Sequence, residues 1–217
     1  MRKRIWGMLM ALVCAVTMAA SASAESPSHT FGYDFDAMTL PVPVNVIIPA
    51  SVTAYLNPYG ATVAFDRKTL KRDETATGEN RLELSGDVIS PTYTIENVGS
   101  EPIRVYAGVS GKPLGKAVLV DPSTDVSEWN GSQQTNDVNL WVTGGLNEEA
   151  VNTTTYNIAN SVAITETANT RTLIEYLGGS SKGYFKINGR LNKYAKGWSE
   201  SDGVHINFSL KIVPVGT

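Results

Sequence analysis

Cysteine and histidine are scarce in this chain, which has one cysteine and two histidines among 217 residues. Cys14 lies in the apolar segment near the N-terminus, and Val13 precedes it where a lipoprotein signal has a small residue. If that segment is removed, no thiol remains for a disulfide, a nucleophile or a thiolate metal site. Two histidines without a cysteine also argue against zinc. We therefore expect no metal and no cofactor.

Long apolar segments are also missing, except for one at the N-terminus. Residues 2–4 are basic, residues 5–18 are mostly apolar, and residues 22–24 have the small side chains of a signal cleavage site. The apolar segment is shorter than the roughly 20 residues that span a bilayer. We predict a signal peptide over residues 1–24 and a secreted chain without stable membrane insertion. A retained anchor is the alternative.

The 193 residues that remain after removal of the predicted signal peptide have no excess of positive charge. Removing residues 1–24 takes away three basic residues and no acidic one, so the net charge falls from −3 to −6. An acidic secreted chain argues against nucleic acids and anionic membranes as partners. Secreted eukaryotic domains commonly carry disulfides, so a cysteine-free secreted chain is more typical of a bacterium, here of a Gram-positive exterior. A Leu-Pro-x-Thr-Gly wall anchor is absent.

What the chain does have is short apolar or alternating segments rich in Val, Ile, Thr and Tyr, separated by turn residues. These residue types favour strands, because they suit a pleated, half-buried surface. Helical periodicity is weak, with one short helix or turn near residues 147–151. The pattern predicts one all-β, antiparallel sandwich domain over residues 41–217, jelly-roll-like, with an immunoglobulin-like sandwich as the alternative. The candidate strands are residues 43–50, 52–56, 61–65, 81–85, 91–97, 102–110, 116–120, 138–143, 161–165, 171–177, 183–189 and 204–215.

Two of these segments make more specific predictions. Residues 204–215 alternate between apolar and polar side chains, and the length of this segment predicts a central position in a sheet. Residues 45–60 contain Pro49, which cannot donate a ladder hydrogen bond, and end in Asn-Pro-Tyr-Gly, a turn signal. We expect an edge strand, a break at Pro49, and a second strand that leads into the turn.

Three irregular segments accompany the strands. Residues 66–81 and 121–137 are polar and are predicted to be exposed loops. Residues 25–40 form an N-terminal arm that contains Phe31, Tyr33 and Phe35. We take these three aromatic residues as candidates for binding a partner, and the arm as a possible donor strand.

One segment matches a catalytic motif by spacing alone. Residues 179–183 fit G-x-S-x-G with Ser181 at the centre, and Asp202 and His205 follow in hydrolase chain order. A nucleophile elbow needs a turn from a strand into a helix, whereas this segment lies between two predicted strands. We therefore predict a glycine-rich hairpin loop, and no enzymatic activity.

Residues 121–128 carry oxygen side chains of the kind that bind calcium. The central glycine and the distal glutamate of the helix–loop–helix calcium pattern are missing. A turn that begins at Asp121 and Pro122 explains the composition without a metal. The sequence leaves open whether Asp121 and Asp125 bind calcium.

Three tryptophans support a glycan-binding hypothesis, because sugars stack on exposed aromatic rings. Trp129 lies in a polar loop and Trp198 in a turn. Trp141 follows Leu140 in a predicted strand, where adjacent side chains point to opposite faces, which leaves one of the two to face solvent. Burial at a sandwich corner is the commoner position for tryptophan. Trp129 is the candidate glycan-binding residue.

Three stretches resemble known secreted proteins. Residues 45–65, 90–111 and 183–214 resemble segments of surface β-sandwich proteins of Gram-positive bacteria, through the Asn-Pro-x-Gly turn, the "IENVGSEPIRV" strand pair and the "WSESD" turn before a long last strand. The last two stretches are also similar to the camelysin and biofilm-matrix fibre (TasA-like) family. That resemblance implies a secreted jelly roll, extracellular assembly or surface display, and no enzymatic activity. Some members polymerise by donating an N-terminal strand, which here would be residues 25–40.

Two functions of different classes follow as expectations. The first is a secreted, cell-surface or matrix structural protein, a fibre subunit that associates with itself or with another matrix protein through the arm. The alternative is a glycan- or protein-binding adhesin module that acts through loop aromatics such as Trp129.

Overall fold

The computed structural model describes residues 45–126, 129, 135–195 and 197–215. The predicted signal peptide and the arm, residues 1–24 and 25–40, lie outside them. No helix among the described residues is long and apolar enough to cross a membrane. The elements are β1 Val46–Ile47, β2 Tyr55–Leu56, β3 Val63–Asp66, a 3-10 turn Gly78–Asn80, β4 Arg81–Leu84, β5 Val88–Ile89, β6 Tyr93–Asn97, β7 Ile103–Leu114, β8 Ala117–Val120, β9 Asn136–Gly145, α1 Glu148–Val151, β10 Ser161–Ile164, β11 Asn169–Leu177, β12 Ser181–Leu191 and β13 Gly203–Pro214.

Two sheets face each other across the main core. The larger has the order β1-β6-β12-β9-β10, with β8 next to β10 along the same edge of β9. The smaller has the order β11-β7-β13. The chain crosses from one sheet to the other between β6 and β7, β7 and β8, β10 and β11, β11 and β12, and β12 and β13. The short pairs β2-β5 and β3-β4 stand beside the sandwich.

Aromatic stacking joins the two sheets at the centre of the core. Phe185 of β12 stacks on Phe208 of β13 with 5.4 Å between ring centroids, and on Tyr93 of β6 at 5.3 Å. All three rings are buried. Val105 and Ala107 of β7 belong to the same core cluster and are fully buried. The predicted all-β sandwich is confirmed, because the apolar faces of both sheets meet in one core.

The connection between β9 and β10 covers the outer face of the larger sheet. Trp141 of β9 points into this cover, where its Nε1 donates to Thr153 Oγ1 at 3.0 Å and its ring contacts Tyr156 edge to face. Asn188 of β12 donates to the Val151 carbonyl at 2.8 Å. The predicted short helix is confirmed as α1, which Asn147 caps. The middle of the larger sheet is thus buried on both faces.

Most of the strand predictions are confirmed. Each of the twelve candidate segments coincides with or overlaps a strand, whereas β5 was not expected. The alternation in residues 204–215 is confirmed, with apolar side chains inward and polar ones outward. Among the described strands β13 pairs with β7 alone, but Ile206 and Phe208 of β13 take part in further interactions, so the expected central position stays a prediction. The pairing of β8 with β9 is parallel, which departs from the expected antiparallel pattern.

The segment around Pro49 folds as expected. β1 is an edge strand that ends at Ile47, and β2 begins only at Tyr55. The turn after β2 is built on Asn57, whose Oδ1 accepts from the Ala61 N–H at 2.9 Å and whose Nδ2 donates to the Ala61 carbonyl at 2.8 Å. Gly60 has φ of +68°, a conformation that favours glycine.

Replacing Phe185 by alanine tests the aromatic centre of the core. Phe185 is fully buried between Tyr93 and Phe208, so Phe185→Ala should lower the free energy of unfolding by about 3–5 kcal/mol, measured by urea denaturation. The matched control is Tyr194→Ala, which removes a ring that is 62% exposed and should change stability by no more than about 0.5 kcal/mol. Equal losses for both variants would contradict this account of the core.

Candidate functional site

β13 is a long and regular strand with a described neighbour on one side only. All twelve of its residues pair with β7 in unbroken register. The other edge strands of the two described sheets are irregular or short: β11 has two register shifts, and β1, β8 and β10 have two to four residues each. Bulges and short length are two common ways in which proteins protect a sheet edge from pairing with another chain. Among the described strands, β13 is thus the longest with a single described neighbour, and its residues Ile206 and Phe208 take part in further interactions.

A groove runs beside the first half of β13. It consists of two adjoining cavities of about 560 Å³ and about 130 Å³ that share Ala54, Tyr55, Val204 and Ile206 as lining residues. Val52, Ile187 and Phe208 line the smaller cavity, so its inner end reaches the main core. We call this feature the β13 groove. Its inner end is apolar and its outer end is mixed, with Arg72, Ser199, Glu200 and Ser201 among its lining residues.

A hydrogen bond between two turns holds the outer end of the β13 groove. Tyr59, in the turn after β2, is 79% exposed, and its hydroxyl donates to the Trp198 carbonyl at 2.8 Å. Trp198 in turn donates its Nε1 to the Asn192 carbonyl at 3.2 Å and is buried. The two walls of the groove are therefore joined across 139 residues of sequence.

The carboxylate of Asp202 accepts hydrogen bonds that join its own turn to two other parts of the chain. Its Oδ1 accepts from the Lys116 N–H at 2.7 Å, and its Oδ2 accepts from the Ser199 N–H at 2.8 Å and from Asn136 Nδ2 at 3.1 Å. These hydrogen bonds, above all the one from Lys116, hold the pKa of Asp202 below its ordinary value. Gly115 has φ of +63°, and a side chain there would meet the carboxylate. Asp202 is thus an anchor of the groove wall.

The outer face of β7 and β13 is polar and carries positive charge only. Cross-strand neighbours on this face include His205 with Lys112, Asn207 with Ser110, Ser209 with Gly108 and Lys211 with Tyr106. Arg104 lies at the end of the same face and pairs with Glu175 of β11. The chain as a whole has more acidic than basic residues, so this face differs in sign from the rest of the protein.

Of the four aromatic residues predicted to bind a partner, one lies among the described residues. Phe31, Tyr33 and Phe35 lie outside the described residues. Trp129 is half-buried, and its backbone N–H donates to the Val126 carbonyl at 3.1 Å.

Two of the three tryptophans are buried. Trp141 and Trp198 are 1% and 8% exposed, so neither offers a sugar platform. Leu140 is buried as well, against the expectation that one of the pair Leu140 and Trp141 faces solvent. The reason is that the sheet carrying them is covered on both faces.

The G-x-S-x-G segment is a connection between sheets. Residues 178–180 link β11 of the smaller sheet to β12 of the larger one, so the segment joins two strands as expected but is not a hairpin. The Ser181 hydroxyl donates to the Gly178 carbonyl. Asp202 is engaged in its turn, and His205 is exposed on the outer face of β13. The strand-to-helix turn that a nucleophile elbow requires is therefore not present here.

The suggested calcium loop begins with an Asx turn. Asp121 Oδ1 accepts from the Ser123 N–H at 2.8 Å and from its hydroxyl at 2.6 Å. Glu128 lies outside the described residues. Within the described residues, no group of three or more His, Cys, Asp or Glu side chains is placed to hold a metal ion.

No family model, no curated protein and no solved structure matches the chain. The similarity to the camelysin and biofilm-matrix fibre proteins therefore stays a prediction from the three sequence stretches. The geometry of the β13 groove is the basis for a functional proposal.

The Asp202 anchor makes stability depend on pH. Because the pKa of Asp202 in the folded protein lies below its ordinary value of 3.8, its contribution is present above that value and is lost as the pH falls through the folded-state pKa. Asp202→Asn should therefore lower the urea midpoint at about pH 7, and the difference from wild type should shrink at about pH 3. The control is Glu200→Gln, an exposed carboxyl of the same turn. A deficit that is equal at both pH values would refute the role of the charge.

Proposed function

We propose that the protein is a secreted, non-enzymatic structural subunit of an extracellular matrix or surface fibre, and that subunits assemble by exchange of the N-terminal arm, residues 25–40. The observation that supports this most is the β13 groove, whose apolar inner end is lined by Val52, Ile187 and Val204. An extended segment that binds in such a groove places alternate side chains in its pockets.

The arm of another subunit is the occupant that fits this groove. Phe31, Tyr33 and Phe35 stand at alternate positions, so in an extended strand all three side chains point to one face. The inner end of the groove is apolar, with Val52, Ile187 and other core residues along it. The arm can thus present an aromatic face to the groove and its polar residues to solvent.

The free energy gained by burying the aromatic side chains of the arm is of the same order as the cost of association. Three aromatic side chains bury roughly 150–250 Å² each, which at about 25 cal/mol per Å² amounts to on the order of 10 kcal/mol. Association costs about 4–15 kcal/mol in lost freedom. Because every subunit has one arm and one groove, exchange from subunit to subunit is head-to-tail, and it produces an open chain when the rotation between subunits does not close into a ring.

Deleting the arm tests the proposal directly. A mature chain without residues 25–40 should form no high-molecular-weight assemblies in sedimentation and electron microscopy, whereas the full mature chain should form filaments. A cross-linking experiment locates the contact, because residues 25–217 contain no cysteine. One batch carries Phe35→Cys and the other Val204→Cys, and a short bismaleimide should join them into a dimer of two different chains.

The matched control replaces Val204→Cys by Thr154→Cys. Thr154 is exposed in the cover over the outer face of the larger sheet, on the other side of the sandwich. It should give no more than background cross-linking. Exchange of the arm into the β13 groove would be rejected if both pairs cross-linked equally, or if the arm-deleted chain still assembled.

The adhesin function is the second candidate, and one observation favours it. Tyr59 is largely exposed at the outer end of the β13 groove, with its hydroxyl fixed on Trp198 and polar side chains nearby. A rigid aromatic ring beside hydrogen-bonding groups is the arrangement that suits sugar stacking. Trp129 remains the candidate from the sequence.

A glycan array tests this second candidate. If the protein is an adhesin, wild type should bind at least one glycan, and Tyr59→Ala or Trp129→Ala should reduce that signal about tenfold or more, in line with hot-spot losses above about 1 kcal/mol. Tyr194→Ala, which removes another exposed ring, should leave the signal unchanged. A wild-type signal at background level for all glycans would eliminate the candidate.

A further inference from the structure

The outer face of β7 and β13 has a lysine near each end and hydrogen-bonding groups between the two. Lys112 and His205 are cross-strand neighbours near one end, and Lys211 lies six residues further along β13, about 20 Å away. The outward positions of the two strands carry no carboxylate. Among the ion pairs of the described residues, none involves Lys112 or Lys211, and both side chains are exposed. Both ammonium groups are therefore available to a partner.

Two hydroxyl groups converge near the middle of this face. Ser209 of β13 and Thr170 of β11 are the cross-strand neighbours of Gly108 on its two sides. A Cβ atom at residue 108 would lie 2.5 Å from Ser209 Oγ and 3.3 Å from Thr170 Oγ1, so glycine allows both hydroxyl groups to lie over the backbone of β7. The Ser209 hydroxyl donates to the Gly108 carbonyl at 3.2 Å, which leaves its oxygen as an acceptor. The pair can thus exchange hydrogen bonds with a ligand that has hydroxyl groups.

An aromatic ring lies beside this hydroxyl pair. Tyr106 is half-buried on the same face and is the cross-strand neighbour of Lys211. Arg104 holds the ring in place, because its Nη1 donates to the Tyr106 hydroxyl at 3.4 Å while its guanidinium pairs with Glu175. A fixed ring with an apolar face and a polar tip, next to hydrogen-bonding groups, suits contact with a sugar ring.

We propose that the outer face of β7 and β13 binds an acidic polysaccharide in which carboxylate sugars alternate with neutral ones. Lys112 and Lys211 bind carboxylates through charge-assisted hydrogen bonds. The hydroxyl groups of Ser209 and Thr170 and the exposed amide of Asn207 bind the neutral sugars between them. This gives a matrix or fibre subunit a polysaccharide partner at a surface other than the β13 groove, and it does not rest on exchange of the arm.

The spacing of the charges favours such a polymer over a nucleic acid. Duplex DNA has one negative charge per about 1.7 Å of its axis and binds through many phosphate contacts. Here two unpaired ammonium groups lie about 20 Å apart, with neutral hydrogen-bonding groups between them. Residues 25–217 also have a net charge of −6, which disfavours densely charged polyanions. A polymer with sparse carboxylates and many hydroxyl groups matches this face in both respects.

The test measures binding of the mature chain to a hyaluronan decasaccharide, in which every second sugar carries a carboxylate. The readout is the fluorescence anisotropy of the end-labelled sugar at low salt. Wild type should bind it, and a dextran of equal length should not bind. Replacing both lysines, Lys112→Ser with Lys211→Ser, should raise Kd about fivefold or more, because each exposed charge pair contributes about 0.5–1 kcal/mol. Thr170→Val removes a hydroxyl group without changing the charge, and should raise Kd about threefold.

The matched control removes two lysines elsewhere. Lys68→Ser with Lys71→Ser makes the same change in net charge in the connection between β3 and β4, where both side chains are exposed, and should leave Kd within about twofold of wild type. All of these substitutions are at exposed positions, so the variants should keep the wild-type melting temperature.

Three results would overturn the proposal: a wild-type signal at background, equal losses of affinity for the two double-lysine variants, or tighter binding of a DNA duplex than of hyaluronan. The last would assign the face to a nucleic acid. None of them bears on assembly, which the deletion of residues 25–40 tests separately.

Discussion

The pairing of β7 with β13 is the interaction on which the rest of the structure depends. It joins twelve residues of each strand without a register shift. β11 adds to the far side of β7, and Phe208 of β13 supplies the ring that stacks on Phe185 of the larger sheet. Val204 and Ile206 of β13 also line the β13 groove. The same ladder therefore sets the core and the position of the β13 groove.

Buried asparagines secure the connections in the part of the chain that has no cysteine. Asn97 donates to the carbonyls of Glu101, Leu177 and Gly178, and so joins two connections that are 80 residues apart. Asn57 binds the carbonyls of Ala61 and Gly86 in the same manner. Buried amides are stabilising only when their partners are complete, since an unsatisfied one costs about 1–3 kcal/mol. Such networks give each loop one preferred conformation, which a groove built from loops requires.

Local sequence patterns were sufficient to predict most of the strands, but not to predict what packs against them. The alternation of residues 204–215 follows from the period of a strand, and the turn at Asn57 from asparagine and glycine chemistry. β5 was missed because two residues, Val88 and Ile89, are too short to show a period. Leu140 and Trp141 are both buried because the β9–β10 connection folds back over the sheet. No periodicity in the strand itself could reveal that second layer.

The features of the candidate site can be separated in the same way, into those set by neighbouring residues and those set by tertiary contacts. Residue order alone specifies the aromatic and acidic alternation of the arm, the turn at residues 57–60 and the polar outer positions of the last strand, because each depends on neighbours within a few residues. Only the tertiary structure decides that the last strand pairs with β7, that Tyr59 meets Trp198, and that Asp202 anchors a groove wall. These features depend on contacts between residues about 90 to 140 positions apart, and such contacts arise from the packing of whole sheets.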